Sequence, residues 1–130
     1  MYKIILVMLL AIVSGNALAE EWIEIGGGKE LTIYVESTFV HKEGDRVKIW
    51  TLHNFKTARK ATGRTYKSMK MQSEYNCKEE TTRILFLSEY SENNGGGKMV
   101  YSDSPHNSNW RPVPPDSTSK ALLEIACWKL

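Results

Sequence analysis

Hydrophobic and polar residues alternate along most of the chain after residue 20, in short stretches separated by glycine-rich or polar turns. Alternation with a period of two is typical of half-buried β-strands, because successive side chains point to opposite sides of a sheet. The pattern predicts strands at EWIEI (21–25), LTIYVE (31–36), RVKIWTLHNF (46–55), TYKSMKMQSEYNC (65–77), TRILFLSEYS (82–91) and KMVYSD (98–103). Residues 20–103 are therefore expected to form a β-sheet.

The pattern changes between residues 102 and 119, where the chain is polar and contains all of its prolines. Such a segment predicts an irregular crossing rather than a strand, because proline lacks the N–H that a sheet ladder needs. Asp116 or Ser117 can then cap a helix that runs through SKALLEIACWKL (119–130). The chain is expected to end in one helix.

That helix has apolar residues on two sides and therefore needs cover on two sides. Leu123, Cys127 and Leu130 share one face, whereas Leu122, Ile125 and Trp128 lie roughly opposite. One face is expected to contact the sheet. The other is expected to contact the proline-containing segment or a second subunit, so that a homodimer is one of two predictions.

Residues 1–19, MYKIILVMLLAIVSGNALA, have the composition of a signal peptide. Lys3 supplies the positive charge, residues 4–13 form the apolar core, and residues 17–19 fit a small-x-small cleavage site. The alternative is a buried N-terminal helix. We expect cleavage after Ala19, export of one domain over residues 20–130, and no lipid attachment, because no cysteine lies near the site. No later stretch is long and apolar enough to predict a transmembrane segment.

Composition narrows the function classes. A chain of 130 residues with 42% hydrophobic and 25% charged residues is typical of one soluble globular domain. The formal net charge of +2 is too small to indicate a nucleic-acid partner by itself. We therefore expect no nucleic-acid binding.

The chain has two cysteines, Cys77 and Cys127. In an oxidising compartment such a pair normally forms a disulfide, whereas a metal pair or a redox pair needs closer cysteines or nearby histidines. A bridge would close a loop of about 50 residues and stabilise the fold by about 4 kcal/mol. It would hold the terminal helix on the sheet face that also carries Met69, Met71 and Tyr75.

Motifs for catalysis are missing from the sequence. The two GGGK stretches, at 26–29 and 95–98, lack the remainder of a phosphate-binding loop and predict hairpin loops. The three histidines, His41, His53 and His106, have no metal-binding spacing and are expected to be solvated. A weak metal site between His41 and His53 is the alternative. We expect no catalytic residue, no metal, no cofactor and no enzymatic activity.

Between Phe55 and Ser73 the chain carries several cations and no acid. Its core, KTARKATGR (56–64), is expected to be an exposed connection between two strands. Such a segment either binds an anionic partner or is a loop kept soluble by charge, and the low aromatic content, Tyr66 alone, disfavours base stacking. The candidate partner-binding residues are Lys56, Arg59, Lys60, Arg64 and Lys67.

Three segments together resemble the bacterial surface-adhesin protein E family. YVESTFVHKEGDRVKIWTLHNF (34–55) has a Tyr-led strand, a Gly turn and a strand with a central Trp50. SMKMQSEYNC (68–77) is similar to the family's Ser-x-Lys segment that ends at cysteine, with Asn76 in place of the usual acid. NWRPVPPDS (109–117), followed by a helix with Cys127, is similar to the family's C-terminal region.

The resemblance implies an α+β fold: an antiparallel sheet of about six strands with a C-terminal helix packed on one face and tethered by a Cys77–Cys127 disulfide. It implies that Trp50 and Trp110 are core residues. It also implies an exported envelope protein of a Gram-negative-type bacterium, in the periplasm, at the cell surface or secreted. The expected function is binding of a host matrix protein, a plasma protein or an anionic glycan. The alternative is a periplasmic accessory or inhibitor protein that docks on another envelope component.

Overall fold

A computed structural model of the protein describes residues 20–105 and 108–130. The predicted signal peptide and His106 lie outside the described residues. The strands are β1 (Trp22–Gly27), β2 (Leu31–Glu36), β3 (His41–Glu43), β4 (Arg46–Ala61), β5 (Arg64–Asn76), β6 (Thr81–Tyr90), β7 (Met99–Asp103) and β8 (Arg111–Pro112), and the helix is α1 (Thr118–Trp128). The part of the chain that the structure describes contains no helix with the length and apolarity of a membrane span.

The strands form one antiparallel sheet with the order β1-β2-β4-β5-β6-β7. This path corresponds to the six strands that the alternation predicts. Two short strands were not predicted: β3 pairs with β4, and β8 pairs with β6. With three and two residues, both are too short to show a period.

Helix α1 covers one face of the sheet and forms the core with it. Ser117 caps the helix, since its Oγ accepts a 3.1 Å hydrogen bond from the Lys120 backbone N–H. The core cluster on this helix-covered face consists of Ile33, Val35, Val47, Ile49, Tyr75, Leu122, Leu123 and Ala126. A disulfide joins Cys77 to Cys127 with a Cα–Cα distance of 5.8 Å, which confirms the predicted tether.

The predicted faces of α1 need correction. Leu122 and Leu123 are both buried, together with Ala126, so the packed face lies between the two predicted faces. Trp128 is 70% exposed and does not belong to the core. The reason is geometric: consecutive helical residues are only about 100° apart, so one wide face can bury both leucines.

Among the described residues, no α-helix covers the opposite face of the sheet. Because side chains alternate, the residues adjacent to the core positions point to this face, which we call the open face. Trp50 and Trp110 are half-buried and do not belong to the core, in contrast to the expectation from the resemblance. Trp50 alternates with Ile49 and Thr51 of the helix-covered side and therefore lies on the open face.

Strands β4 and β5 continue beyond their neighbours. β2 pairs with β4 only as far as Phe55, and β6 pairs with β5 only from Ser68, so residues 56–67 form a two-stranded extension. We call this extension the basic arm. The expected connection is thus mostly strand, and only Thr62 and Gly63 form the turn, where Gly63 has φ +72.

Candidate functional site

The basic arm is anchored to the sheet at its base. An isolated two-stranded hairpin is marginally stable in water, so an arm of this kind needs side-chain contacts. Phe55 and Tyr66 pack edge to face, with ring centroids 5.7 Å apart. The Arg59 guanidinium lies 4.8 Å from the centre of the Phe55 ring. These contacts hold both strands of the arm against the end of the sheet.

Arg64 is the second anchor of the arm. Its Nε donates a 2.5 Å hydrogen bond to Glu89 Oε1, and its guanidinium lies 3.9 Å from the centre of the Tyr101 ring. The hydrogen bond to Glu89 raises the pKa of Arg64 above its ordinary value. Because Glu89 neutralises this cation, Arg64 holds the arm in place rather than presenting charge to a partner.

The other candidate cations have different surroundings. Lys56, Arg59 and Lys60 are exposed, and Lys67 is half-buried. The salt bridges within residues 20–105 and 108–130 include none of these four. The structure therefore brings the candidates together on one arm but divides them into one neutralised anchor, Arg64, and exposed charges that remain available.

Lys29 extends this positive surface. Lys29 and Lys56 both line an open cleft of about 510 Å³ at the base of the arm, beside Asn54 and Asn93. Asn54 and Asn93 bond to neighbouring turns and strands, including a 3.1 Å bond from Asn93 Nδ2 to the Phe55 carbonyl. Sequence reasoning missed Lys29, because the β1–β2 turn approaches the arm only in the folded sheet.

The histidines are placed differently from each other. His41 is exposed on β3, as expected, whereas His53 is buried on β4, which corrects the expectation that it is solvated. Burial lowers the pKa of His53 to about 4, and its Nε2 lies 3.2 Å from Thr51 Oγ1. Among the described residues, no three His, Cys, Asp or Glu side chains lie together as a metal site.

The open face of the sheet contains a second candidate surface, a groove of about 320 Å³. We call it the aromatic groove. It is lined by Glu20, Trp22, Glu36, Phe39, Trp50, Lys70, Phe86, Ser88 and Tyr90. The register explains the grouping: Trp22 is opposite Glu36, and Gln72 lies between Trp50 and Phe86. Side chains from five strands, together with Glu20 before β1 and Phe39 after β2, thus meet on one face.

The rings of the aromatic groove are held by defined contacts. Trp50 and Phe86 pack edge to face, with centroids 5.5 Å apart and an interplanar angle of 61°. Trp22 is oriented by a 3.0 Å hydrogen bond from its Nε1 to Glu20 Oε2. Phe39 is 46% exposed at the edge of the groove. The groove is therefore a preformed aromatic surface that is open to solvent.

Glu36 places a negative charge beneath these rings. Its carboxylate accepts hydrogen bonds from the backbone N–H groups of Glu21, Thr38 and Phe39, at 2.7, 3.0 and 2.6 Å. Burial raises the pKa of Glu36, but these bonds outweigh burial and leave the pKa below its ordinary value. Glu36 is thus an ionised carboxylate that is 2% exposed.

Lys70 places a positive charge in the same groove. Its Nζ lies 5.8 Å from the centre of the Trp22 ring and 5.6 Å from that of Tyr90. Gly95 stands beside it, since a Cβ at Gly95 would lie 2.7 Å from Lys70 Cε. The salt bridges of the described chain do not include Lys70. Its ammonium is positioned by rings and by the turn at 93–95.

The aromatic groove was not found by sequence reasoning, although a signal is present. Trp50 alternates with the buried Ile49 and Thr51 on β4, and Lys70 alternates with Met69 and Met71 on β5. Alternation gives the face of each residue but not the register between strands. The rings could be assigned to one groove only after the pairing of five strands, from β1 to β6 along the sheet, was known.

The chain is similar in sequence to a known protein family and in fold to solved structures. A family model for surface-adhesin protein E matches residues 22–128. Crystal form II of Haemophilus influenzae protein E has a TM-score of 0.61 at 16% identity, covering 86% of this chain and 91% of that chain. Protein E from non-typeable Haemophilus influenzae gives 0.58 at 17% identity, with 86% and 78% covered. A comparison with curated proteins finds no match. The resemblance and the fold class inferred from sequence are confirmed.

Proposed function

Because this chain belongs to the surface-adhesin protein E family, we propose that it is a non-enzymatic binding protein that engages an anionic macromolecular partner through the basic arm. Family membership implies an exported or cell-surface protein. The partner is a host matrix or plasma protein with an acidic surface, or an anionic glycan. The binding residues are Lys56, Arg59, Lys60 and Lys67, with Arg64 as the anchor.

One observation supports this proposal above the others. The basic arm extends beyond the neighbouring strands and presents Lys56, Arg59 and Lys60 to solvent. A chain with a net charge of only +2 concentrates these cations on one two-stranded extension. Clustered charge of one sign raises the local concentration of an oppositely charged partner and speeds its association.

Salt-dependent binding tests the arm directly. The triple variant Lys56→Ser, Arg59→Ser, Lys60→Ser should elute from immobilised heparin at clearly lower salt than the unaltered protein, because it loses the exposed charges that heparin contacts. The matched control is Lys78→Ser, Lys98→Ser, Lys129→Ser. It removes the same charge as the arm variant, from three exposed lysines outside the arm. Equal elution of the two triple variants would show that net charge alone governs binding.

The location of the protein separates the proposal from its alternative. A periplasmic accessory or inhibitor protein would dock on another envelope component and remain inside the outer membrane. An adhesin must be reachable from outside, so protease added to intact cells should cleave it. Protection in intact cells, together with cleavage after the outer membrane is opened, would favour the periplasmic alternative.

A further inference from the structure

We propose that the aromatic groove is a binding site for the phosphocholine group. The trimethylammonium of the ligand lies against the rings of Trp50, Phe86 and Phe39, and its phosphate lies at the ammonium of Lys70. This site is on the open face of the sheet and differs in place and chemistry from the basic arm. The inference does not depend on the proposed function of the arm.

The rings of the groove favour a quaternary ammonium. Such a cation has no N–H to donate, so water solvates it weakly, and aromatic faces attract it through their quadrupoles. The groove already shows this preference, because the Lys70 ammonium lies within 5.8 Å of the Trp22 ring centre and 5.6 Å of the Tyr90 ring centre. Trp50, Phe86 and Phe39 line the rest of the groove.

The charges of the groove favour a ligand that carries both signs. A simple anion would meet the carboxylates of Glu20 and Glu36, and a simple cation would meet the ammonium of Lys70. Phosphocholine joins a cation and an anion through two carbons and can satisfy both. The Glu36 carboxylate, which accepts a bond from the Phe39 backbone N–H, then lies on the side of the trimethylammonium, and Lys70 supplies a charge-assisted bond to the phosphate.

The side chains that form the groove are already held in place without a ligand. Glu36 is held by three backbone N–H donors, and the buried Ser88 Oγ lies 3.1 Å from the Tyr90 hydroxyl. Gly95 leaves the space that the Lys70 side chain occupies. A volume of about 320 Å³ lies at the small end of the range for small-molecule sites, as a compact head group requires. Binding therefore needs little reordering of side chains.

Isothermal titration calorimetry with the protein over residues 20–130 tests which class of ligand binds. The probes are phosphocholine, choline and phosphoethanolamine. Phosphocholine should bind about 10-fold more tightly than choline, which lacks the anion, and than phosphoethanolamine, which lacks the methyl groups. No saturable heat with phosphocholine, or equal binding of phosphoethanolamine, overturns the proposal.

Variants locate the site. Trp50→Ala should weaken phosphocholine binding about 10-fold, and Phe39→Ala, at an exposed ring with little role in folding, about 3-fold. The control Trp128→Ala removes an exposed ring outside the groove and should bind as the unaltered protein. Unchanged binding in Phe39→Ala and in a folded Trp50→Ala would overturn the proposal.

Lys70→Met separates the two halves of the ligand. It should lose about 10-fold affinity for phosphocholine and none for choline, whereas a merely structural role would weaken both. The arm variant Lys56→Ser, Arg59→Ser, Lys60→Ser should bind phosphocholine normally, so that failure of either site is recognised separately. Phosphatidylcholine vesicles that compete with free phosphocholine would assign the group to lipids; vesicles that do not compete would assign it to a soluble or glycan carrier.

Discussion

The two faces of the sheet are built from alternating residues of the same strands, and both bury some polar groups, but the aliphatic core cluster lies on the helix-covered face. The helix-covered face buries aliphatic side chains such as Val47, Ile49 and Leu123 in one cluster. The open face buries polar groups, among them Glu36, Glu74 and Ser88, beneath half-exposed aromatic rings. The two faces differ in what covers them. Helix α1 covers one face, whereas long side chains of the sheet itself cover the other.

This difference shows how one small sheet can be both stable and available for binding. Burial of aliphatic side chains against a helix stabilises the fold through a non-directional interaction. Each buried polar group on the open face instead needs a hydrogen-bond partner with defined geometry. Glu74 has one: its carboxylate accepts a 2.8 Å bond from Arg83 Nε, and the Arg83 guanidinium lies 4.6 Å from the Trp110 ring centre. The open face is thus ordered by hydrogen bonds and can remain uncovered.

Among these substitutions, removal of the disulfide on the helix-covered face should lower the free energy of unfolding most. The double variant Cys77→Ala, Cys127→Ala should lower the free energy of unfolding by about 4 kcal/mol, because the unfolded chain regains the entropy of a closed loop and α1 loses its tether. Urea unfolding followed by circular dichroism measures this change. A loss below about 1 kcal/mol would mean that packing alone holds the helix.

A matched pair of core and groove substitutions compares the faces directly. Ile49→Ala, at a side chain with no exposed surface, should cost about 3 kcal/mol, because it leaves a cavity that no solvent fills. Phe86→Ala, at a half-buried ring on the open face, should cost about 1 kcal/mol, because water replaces the ring. Equal losses in urea unfolding would contradict the distinction between the faces.

As the pH falls, the free energy of unfolding should decrease first because of His53, which lies on the helix-covered face. The pKa of His53 is about 4 when folded and 6.5 ordinarily, so only the unfolded state gains a proton as the pH falls through 6.5. The free energy of unfolding should therefore fall by about 2 kcal/mol between pH 7 and pH 5. Glu36, whose pKa is lowered from 4.5, contributes stability that is lost only at lower pH. His53→Gln should flatten the pH 7 to pH 5 region, and an unchanged slope in that variant would remove His53 as its cause.

Several features of the fold were predictable because they depend on residues near each other in sequence. The alternation predicted LTIYVE as a strand with its observed bounds 31–36, and it placed the start of β4 at Arg46. Ser117 was one of two predicted caps and is the observed one. The disulfide followed from the number of cysteines in an expected oxidising compartment.

The extent of β4 was not predictable in the same way. The cations at 56–60 resembled a loop because charge and missing alternation are typical of solvated connections. The register shifts between Asn54 and Arg59, which interrupts the period where the basic arm begins. Whether Arg64 is available or neutralised depended on Glu89, which is 25 residues away in sequence.

The sequence by itself determined the six main strands, apart from the far end of β4, together with the terminal helix and the cysteine pair, because period, capping and composition are properties of neighbouring residues. Only the tertiary structure decided that Trp22, Trp50, Lys70 and Phe86 share one groove, that His53 is buried, and that Arg64 is an anchor. These outcomes depend on register and on which face the helix covers. Both are set by contacts between distant segments, which a local pattern does not contain.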